Sequence, residues 1–378
     1  MRTLRRYLTR EVAVATGFVL FALLALFSFF DLIGQLEDIT STYSLGTAFA
    51  YVALSLPSRT YELMPIAALI GTIYALSKLA SNSEFTIMRV SGMSTRRLAA
   101  SVTGVGLVFI ALTYLLGELV APTAERVAQQ LKFSAKGESV AQFRSGVWVR
   151  DAVTGEDGQI ERWRFVNVRQ VRPDATLQQM RVFEFDRDYR LRAIGTAASG
   201  RFVIDRKGPA WLLNDVVETR LPILAAGDVA PTALRTEIVK EATRRWSSEL
   251  TPEIFGVLMV KPERMAAVAL VQYIRHLSAN RQQTEPYEIA LWNKVFYPLA
   301  ILVMMMLALP FAYLHVREGS VSLKIFTGVM IGVTFYMLNK LFAHLGLLNT
   351  WPPPVVAALP SLVVLGVALG ALYWIERR

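Results

Sequence analysis

The sequence predicts an α-helical membrane protein with an inserted all-β domain: six transmembrane helices, three and three, around a β jelly roll or sandwich. Three observations predict it. The 378 residues are 53% hydrophobic with a mean hydropathy of +0.39, too apolar for an ordinary soluble chain of this length. Charge is spread unevenly, with long uncharged stretches and a middle third dense in Arg, Asp and Glu. That middle third also alternates apolar and polar residues in short runs, the period of strands and not of helices.

A spanning helix needs ~20 apolar residues. Six candidates fit: residues 12–33, about 64–79, 98–119, 295–314, 325–347 and 355–375. In the second, Leu54 and Leu56 precede a break expected at Pro57. Arg2, Arg5, Arg6 and Arg10 precede the first run, which is longer than the core of a signal peptide and lacks a small-residue cleavage site. It reads as a retained span.

The Lys and Arg bias of the short loops sets the orientation. Six crossings put the N-terminal arginines, the Lys78, Arg89, Arg96 and Arg97 loop, Arg317 with Lys324, and Arg377 with Arg378 on one side. The first loop on the other side carries Asp31, Glu37 and Asp38 against Arg59. Both termini are therefore expected in the cytoplasm and the β domain outside. Arg275 and Arg281 run against the trend, but they adjoin the long domain, where the rule is weak.

Three regions follow. Residues 1–132 hold the first three spans and a short cytoplasmic helix at about 83–92. Residues 133–262 form the β domain, and residues 263–378 hold an amphipathic connector and the last three spans. In the β domain, residues 162–168 alternate, and Arg181, Phe183 and Phe185 share a face of 180–186. Residues 189–194, 201–205 and 211–218 add short runs, with turn signals at 154–158, 172–174 and 206–209. Such spacing suggests a sandwich or jelly roll.

Several chemistries are disfavoured. There is no Cys, hence no disulfide, thiolate metal site or Cys nucleophile. The net charge of +10 sits in membrane-flanking loops and along strands, which suits anionic lipid better than nucleic acid. The nearest approach to a phosphate-cradling loop, Gly195 to Gly200 before Arg201 and Phe202, lacks the Lys and the hydroxyl, and reads as a loop between strands. No ATP hydrolysis is expected from this chain. His276, His315 and His344 form no triad and no i, i+4 pair, so no metal or other cofactor is expected. No ionisable group stands mid-membrane in spans one, three, four or six, and Asn339, Lys340 and His344 lie near the outer end of span five. Energy is thus expected from a partner and not from an ion gradient.

The loop between spans two and three is more informative. Ser83 suits an N-cap, Glu84 a first turn and Gly92 a C-terminal stop, with Phe85 and Met88 on one face. This is either a plug for a soluble partner's groove or a structured turn between spans, and spacing alone favours neither.

Residues 83–92 resemble the coupling helix of the LptF/LptG family of lipopolysaccharide export permeases. Six spans with a β domain between the third and fourth are also that family's layout. Gly117-Glu118-Leu119-Val120-Ala121-Pro122 is similar to its third-helix end, and Trp292-Asn293-Lys294-Val295-Phe296-Tyr297-Pro298-Leu299 to the start of its fourth helix. Pro352-Pro353 with Leu359-Pro360 resembles the approach to the sixth. The order and spacing favour the LptG branch. The resemblance implies a bacterial inner-membrane subunit pairing with LptF, a dimer of the ATPase LptB, which uses the ATP, and single-helix LptC. The complex extracts lipopolysaccharide and passes it along a periplasmic jelly-roll relay towards LptA.

Exposing each lipid CH₂ to water costs ~0.8 kcal/mol, so an apolar cavity that closes on the chains is expected. Phe21, Phe27, Phe29 and Phe30 of span one, with span five, are its expected wall and gate; the bland alternative is that they face lipid. Glu84, with Phe85, Met88 and Arg89, is the expected ATPase contact. Arg59, Lys132, Lys136 and Lys340 are the candidates for lipid phosphate, Lys132 where the resemblance expects a basic residue. Relatives carry Lys in the loop after span one, where this chain has Asp31, Glu37 and Asp38. Two rivals differ in class: a membrane-anchored periplasmic binding or scaffold protein without transport, and an intramembrane enzyme. Six helices exceed the need of an anchor, and no catalytic constellation supports the enzyme.

Overall fold

The computed structural model describes residues 2–40, 42–136, 146–154, 159–172, 176–205, 208–222, 236–248, 250–252, 254, 261–313 and 321–376. The first half is α1 (Arg2–Leu36), α2 (Leu45–Ser81), a short α3 (Glu84–Val90) and α4 (Thr95–Leu115). A π turn (Leu116–Val120) carries α4 into α5 (Ala121–Lys136). After the β domain come α6 (Ala267–Ala279), α7 (Glu285–Phe296), α8 (Ala300–Ala308), α9 (Val321–Leu348) and α10 (Pro353–Glu376). Five helices are long and apolar enough to cross a membrane, and α7 with α8 makes a sixth span bent by 50°. The three-and-three arrangement of the sequence is present.

The buried mast is α2, packed by α1, α5, α8 and α9. No break occurs at Pro57: the helix runs through both Pro57 and Pro65. A helix-interior Pro costs ~3 kcal/mol in isolation, and packing along most of this helix outweighs it. Glycines set how closely its neighbours approach. A Cβ on Gly71 would stand 2.4 Å from the Thr16 Cα of α1. Gly328 and Gly332 of α9 similarly receive Ile73 and Ile66 of α2.

Two further spans depart from expectation. The third does not stop at 119 but continues through the π turn to Lys136. The fourth is not one straight run: it bends where Pro298, lacking an N–H, separates α7 from α8.

The β domain is one six-stranded antiparallel sheet in the order β1 (Val147–Thr154), β2 (Ile160–Val171), β3 (Leu177–Asp186), β4 (Leu191–Asp205), β5 (Gly208–Arg220), β6 (Glu237–Ser247). The inserted β domain is thus as expected in class. Its connectivity, among the described strands, is a meander of sequence neighbours, not the two-sheet crossing of a sandwich. Its core gathers Val149, Val166, Met180, Trp211, Leu213 and Trp246 on one face. Trp211 is fully buried, and its Nε1 donates to the Leu250 carbonyl at 2.7 Å. Gln179 and Asp215 adopt positive φ and drop out of the pairing register. The register is the same on either side of each, but the side-chain alternation shifts by one there, so Leu177 joins Met180, and Leu213 joins Val216, on the core face.

The segment from Gly195 to Gly200 is not a loop. It lies inside β4, which unites the runs expected separately at 189–194 and 201–205. A Cβ on Gly200 would meet the Met180 Sδ at 2.8 Å and the Leu213 Cδ2 at 2.9 Å. The small residues there make room for larger neighbours across the strands. The expected turn residues 155–158, 173–174 and 206–207, and the side chains of His315 and Arg317, lie outside the described residues.

Candidate functional site: a coupling helix, an apolar wall and a charged joint

The short helix α3 forms where expected and stops at Gly92, whose φ of 92° suits glycine. Ser83 does not cap it. It adopts a left-handed conformation and makes no side-chain cap bond. Glu84 is tethered within the chain instead, accepting from the Tyr7 hydroxyl at 2.9 Å and from Asn82 Nδ2 at 3.3 Å.

Phe85 and Met88 point into their own chain. Both are buried in a core with Leu8, Leu79, Met93 and Leu98, and Phe85 meets Tyr313 edge to face at 5.2 Å. They root the helix on the spans and are not a surface for a partner. The exposed side is the opposite face, where Ile87 is 64% and Val90 is 86% exposed. Arg89 lies beside them with its guanidinium 5.4 Å from the Tyr313 ring centre. The sequence carried this signal: Ile87 and Val90 are as apolar as Phe85 and Met88 and three residues apart, so the helix has two apolar faces.

The second feature is an apolar wall. Phe21, Phe29 and Phe30 of α1 are 58–72% exposed, and Phe27 is 38% exposed. On α9, Phe326, Met330, Val333, Met337 and Leu341 are also exposed. Both helices pack on α2, so two apolar surfaces flank one buried mast.

The expected phosphate cations fare differently from one another. Arg59 is held by Asp31 at 2.6 Å and Glu62 at 3.0 Å. Lys132 is held by Asp38 at 3.0 Å and donates to Gln35 at 2.8 Å. Asp31 with Glu62, and Asp38, therefore neutralise two of the four candidates. Lys136 ends α5, and its side chain is outside the described residues. Lys340 is exposed, 5.8 Å from the Tyr336 ring centre, and has no carboxylate partner among the described residues.

The third feature is a charged joint where spans three and four and the root of the β domain meet. Lys294 of α7, 6% exposed, bridges to Glu118 of the π turn at 3.1 Å and donates to the Gly117 carbonyl at 3.2 Å. The other Glu118 oxygen accepts from the Ala267 N–H, which opens α6, at 2.8 Å. One carboxylate thus holds the connector's first free N–H and the start of span four. Beside it, Arg264 of the connector bridges to Glu125 of α5 at 2.8 Å, and Ser58 of α2 donates to the same Glu125. Burial works to lower the Arg264 pKa, but the adjacent Glu125 and Glu62 carboxylates outweigh it and raise it.

Glu125 is 1% exposed. Buried charge is therefore present in these helices: Glu125 and Lys294 are paired at the joint, and Lys324 of α9 is buried as well. Sequence reading missed the pairing although it held both halves, because Glu118 and Lys294 sit in the two segments quoted for the resemblance. Nothing in a single sequence says that residues so far apart touch.

In the β domain a groove of about 320 Å³ has an apolar floor of Val182, Ala197, Leu213 and Trp246. Its sides carry the ion pairs Arg164–Glu184 and Arg244–Glu218. Among the described residues, no group of three or more His, Asp and Glu comes together to hold a metal.

Known proteins are similar in sequence along nearly the whole of this chain. The chain is 29% identical over 360 residues to the lipopolysaccharide export system permease protein LptG of Escherichia coli K12, covering 95% of this chain and 94% of that one. It is 26% identical over 382 residues to the LptG of Haemophilus influenzae, covering 100% and 99%. The family described as lipopolysaccharide export system permease LptF/LptG matches residues 6–376, from the first turn of α1 to the end of α10. With spans, inserted sheet and joint all inside that match, the chain belongs to the LptF/LptG family of lipopolysaccharide export permeases.

Proposed function

We propose that this chain is the LptG-type half of an ATP-driven lipopolysaccharide extractor in a bacterial inner membrane, with both termini cytoplasmic and the β domain periplasmic. It pairs with an LptF permease, takes its power from a dimer of the ATPase LptB, works beside LptC and feeds a relay leading to LptA. ATP is spent by the partner and not here. The α1 and α9 surfaces form half of the cavity that holds acyl chains, and closing that cavity expels them.

One observation carries this reading. Helix α3 is rooted among the spans by Phe85 and Met88 yet shows Ile87 and Val90 outward, with Glu84 and Arg89 beside them. An apolar pair fixed to the spans suits a lever that a soluble partner pushes. A membrane-anchored scaffold has no use for such a lever.

The test is isolation of the full chain with its co-purifying subunits. The expected outcome is a bound ATPase that is lost from Ile87→Asp and Val90→Asp variants but retained in a Lys340→Gln control. Retention of the ATPase in both aspartate variants would refute the lever.

A further inference from the structure

At the end of the spans nearest the β domain, a cleft of about 200 Å³ opens between α2, α7, α9 and the connector. Its wall is mainly apolar, with Ile289, Ala343 and Leu347 along it. Two polar groups in it are unspent. The Tyr61 hydroxyl is buried and has no hydrogen-bond partner among the described residues, although the neighbouring Tyr297 hydroxyl donates to the Glu62 carbonyl. A buried donor left unmet costs ~1–3 kcal/mol, so Tyr61 calls for an acceptor that the chain does not supply. Lys340 is the second.

The other cations bordering the cleft are already neutralised, Arg264 by Glu125 and Lys294 by Glu118. Glu263 also borders it and makes no ion pair with Lys340. Among the described residues, one uncompensated ammonium therefore stands at the cleft, which Tyr61 and an apolar wall also line. Charge within a spanning helix is stabilised at headgroup depth, where lipid phosphate is the available anion.

We propose that this cleft seats part of one acyl chain of an anionic glycerophospholipid from the leaflet on the β-domain side. The Tyr61 hydroxyl donates to its ester carbonyl, and the Lys340 ammonium pairs with its phosphate. The cleft, below the ~300 Å³ of the smaller ligand pockets, takes a segment of one acyl chain, and one ammonium with one hydroxyl matches the single phosphate and an ester carbonyl of a glycerophospholipid. The seat is separate from the exposed phenylalanines of α1 that face the exported cargo in the proposed function.

The experiment uses the full chain in phosphatidylcholine nanodiscs doped with phosphatidylglycerol carrying a photoactivatable group in one acyl chain. After irradiation, adducts should concentrate on residues 286–297 and 336–348 over α1 and α10. Lys340→Gln, a change at an exposed position, should lower them about tenfold, the loss of one charge-assisted hydrogen bond. Tyr61→Phe should lower them about fivefold. Excess unlabelled phosphatidylglycerol should compete.

Labelling spread evenly over the exposed helices, or insensitive to both substitutions, would overturn the proposal. So would equal labelling by a diacylglycerol probe without phosphate. Displacement by purified lipopolysaccharide but not by phosphatidylglycerol would also overturn it and assign the cleft to cargo. The measurement needs neither ATP nor export, so failure of the transport reading would leave this result standing.

Discussion

The membrane half and the β domain handle charge in opposite ways. At the joint, Lys294 and Glu125 are almost wholly buried, and each has its opposite charge within 3.1 Å. On the sheet, arginines and carboxylates lie in cross-strand ladders at partly exposed positions, such as Arg220 between Glu218 and Glu237. Buried partners depend on each other absolutely, because a lone charge in a dry place has no water to fall back on. Exposed partners are interchangeable with solvent. The joint therefore fixes geometry, and the ladders tune it.

The largest expected effect comes from breaking one side of the joint. Lys294→Met leaves Glu118 facing a hydrophobic neighbour and should cost about 3–5 kcal/mol, towards the lower end because Glu118 is partly exposed. Adding Glu118→Gln removes the orphan charge and keeps an acceptor for the Ala267 N–H, so the double variant should regain most of the loss. Thermal unfolding of the full chain in detergent measures both. A double variant as unstable as Lys294→Met alone would show that the pair is not the coupling element.

A smaller effect tests the mast. Gly71→Ala places a Cβ against Thr16 backbone and not against a side chain that can swing away. Separation of α1 from α2 should cost about 1–3 kcal/mol. An α1–α2 disulfide pair engineered near residues 16 and 71 should form more slowly in that variant. Unchanged rates would mean that the close crossing is not required.

Much of this was legible in the sequence, and the misses have physical causes. Hydropathy located all six spans, because the bilayer demands apolar length whatever the packing. It misjudged Pro57 and Pro298, which look alike locally. Pro57 sits in a helix packed on several sides and is absorbed, whereas Pro298 separates two helices. Period-two patterning found the strands but not the positive-φ residues Gln179 and Asp215, because a shift of alternation inside a strand looks like a broken strand. Residues 83–92 were legible as a helix, but which apolar face turns inward was decided by Tyr313, far along the chain. Lys294 with Glu118 was invisible for the same reason.

The smallest expected effect concerns the ladders, and its sign follows from which state holds its protons more weakly. The Asp186 carboxyl is lowered first by the Arg190 N–H and then, against burial, by Arg192. For Glu218, burial works to raise the pKa, but hydrogen bonds from Arg244 and Arg220 outweigh it and lower it. Glu241 is lowered by Arg244. Each carboxyl thus has a folded pKa below its unfolded value of about 4. Their stabilisation is full above that unfolded value and fades as pH falls through the folded pKa values. Hydrogen exchange on the full chain, corrected for intrinsic rates, should show β4 to β6 losing protection on acidification below about pH 4. The core of α2, which relies on apolar packing, should keep its protection over that range. Substituting Arg220, half exposed on its ladder, should shift the acid onset only slightly, while Arg244→Gln, which removes a partner from both Glu218 and Glu241, should move it to higher pH. If both substitutions moved it equally, exposure would not be what separates the ladder's members, and the contrast between sheet and joint would fail on its own ground.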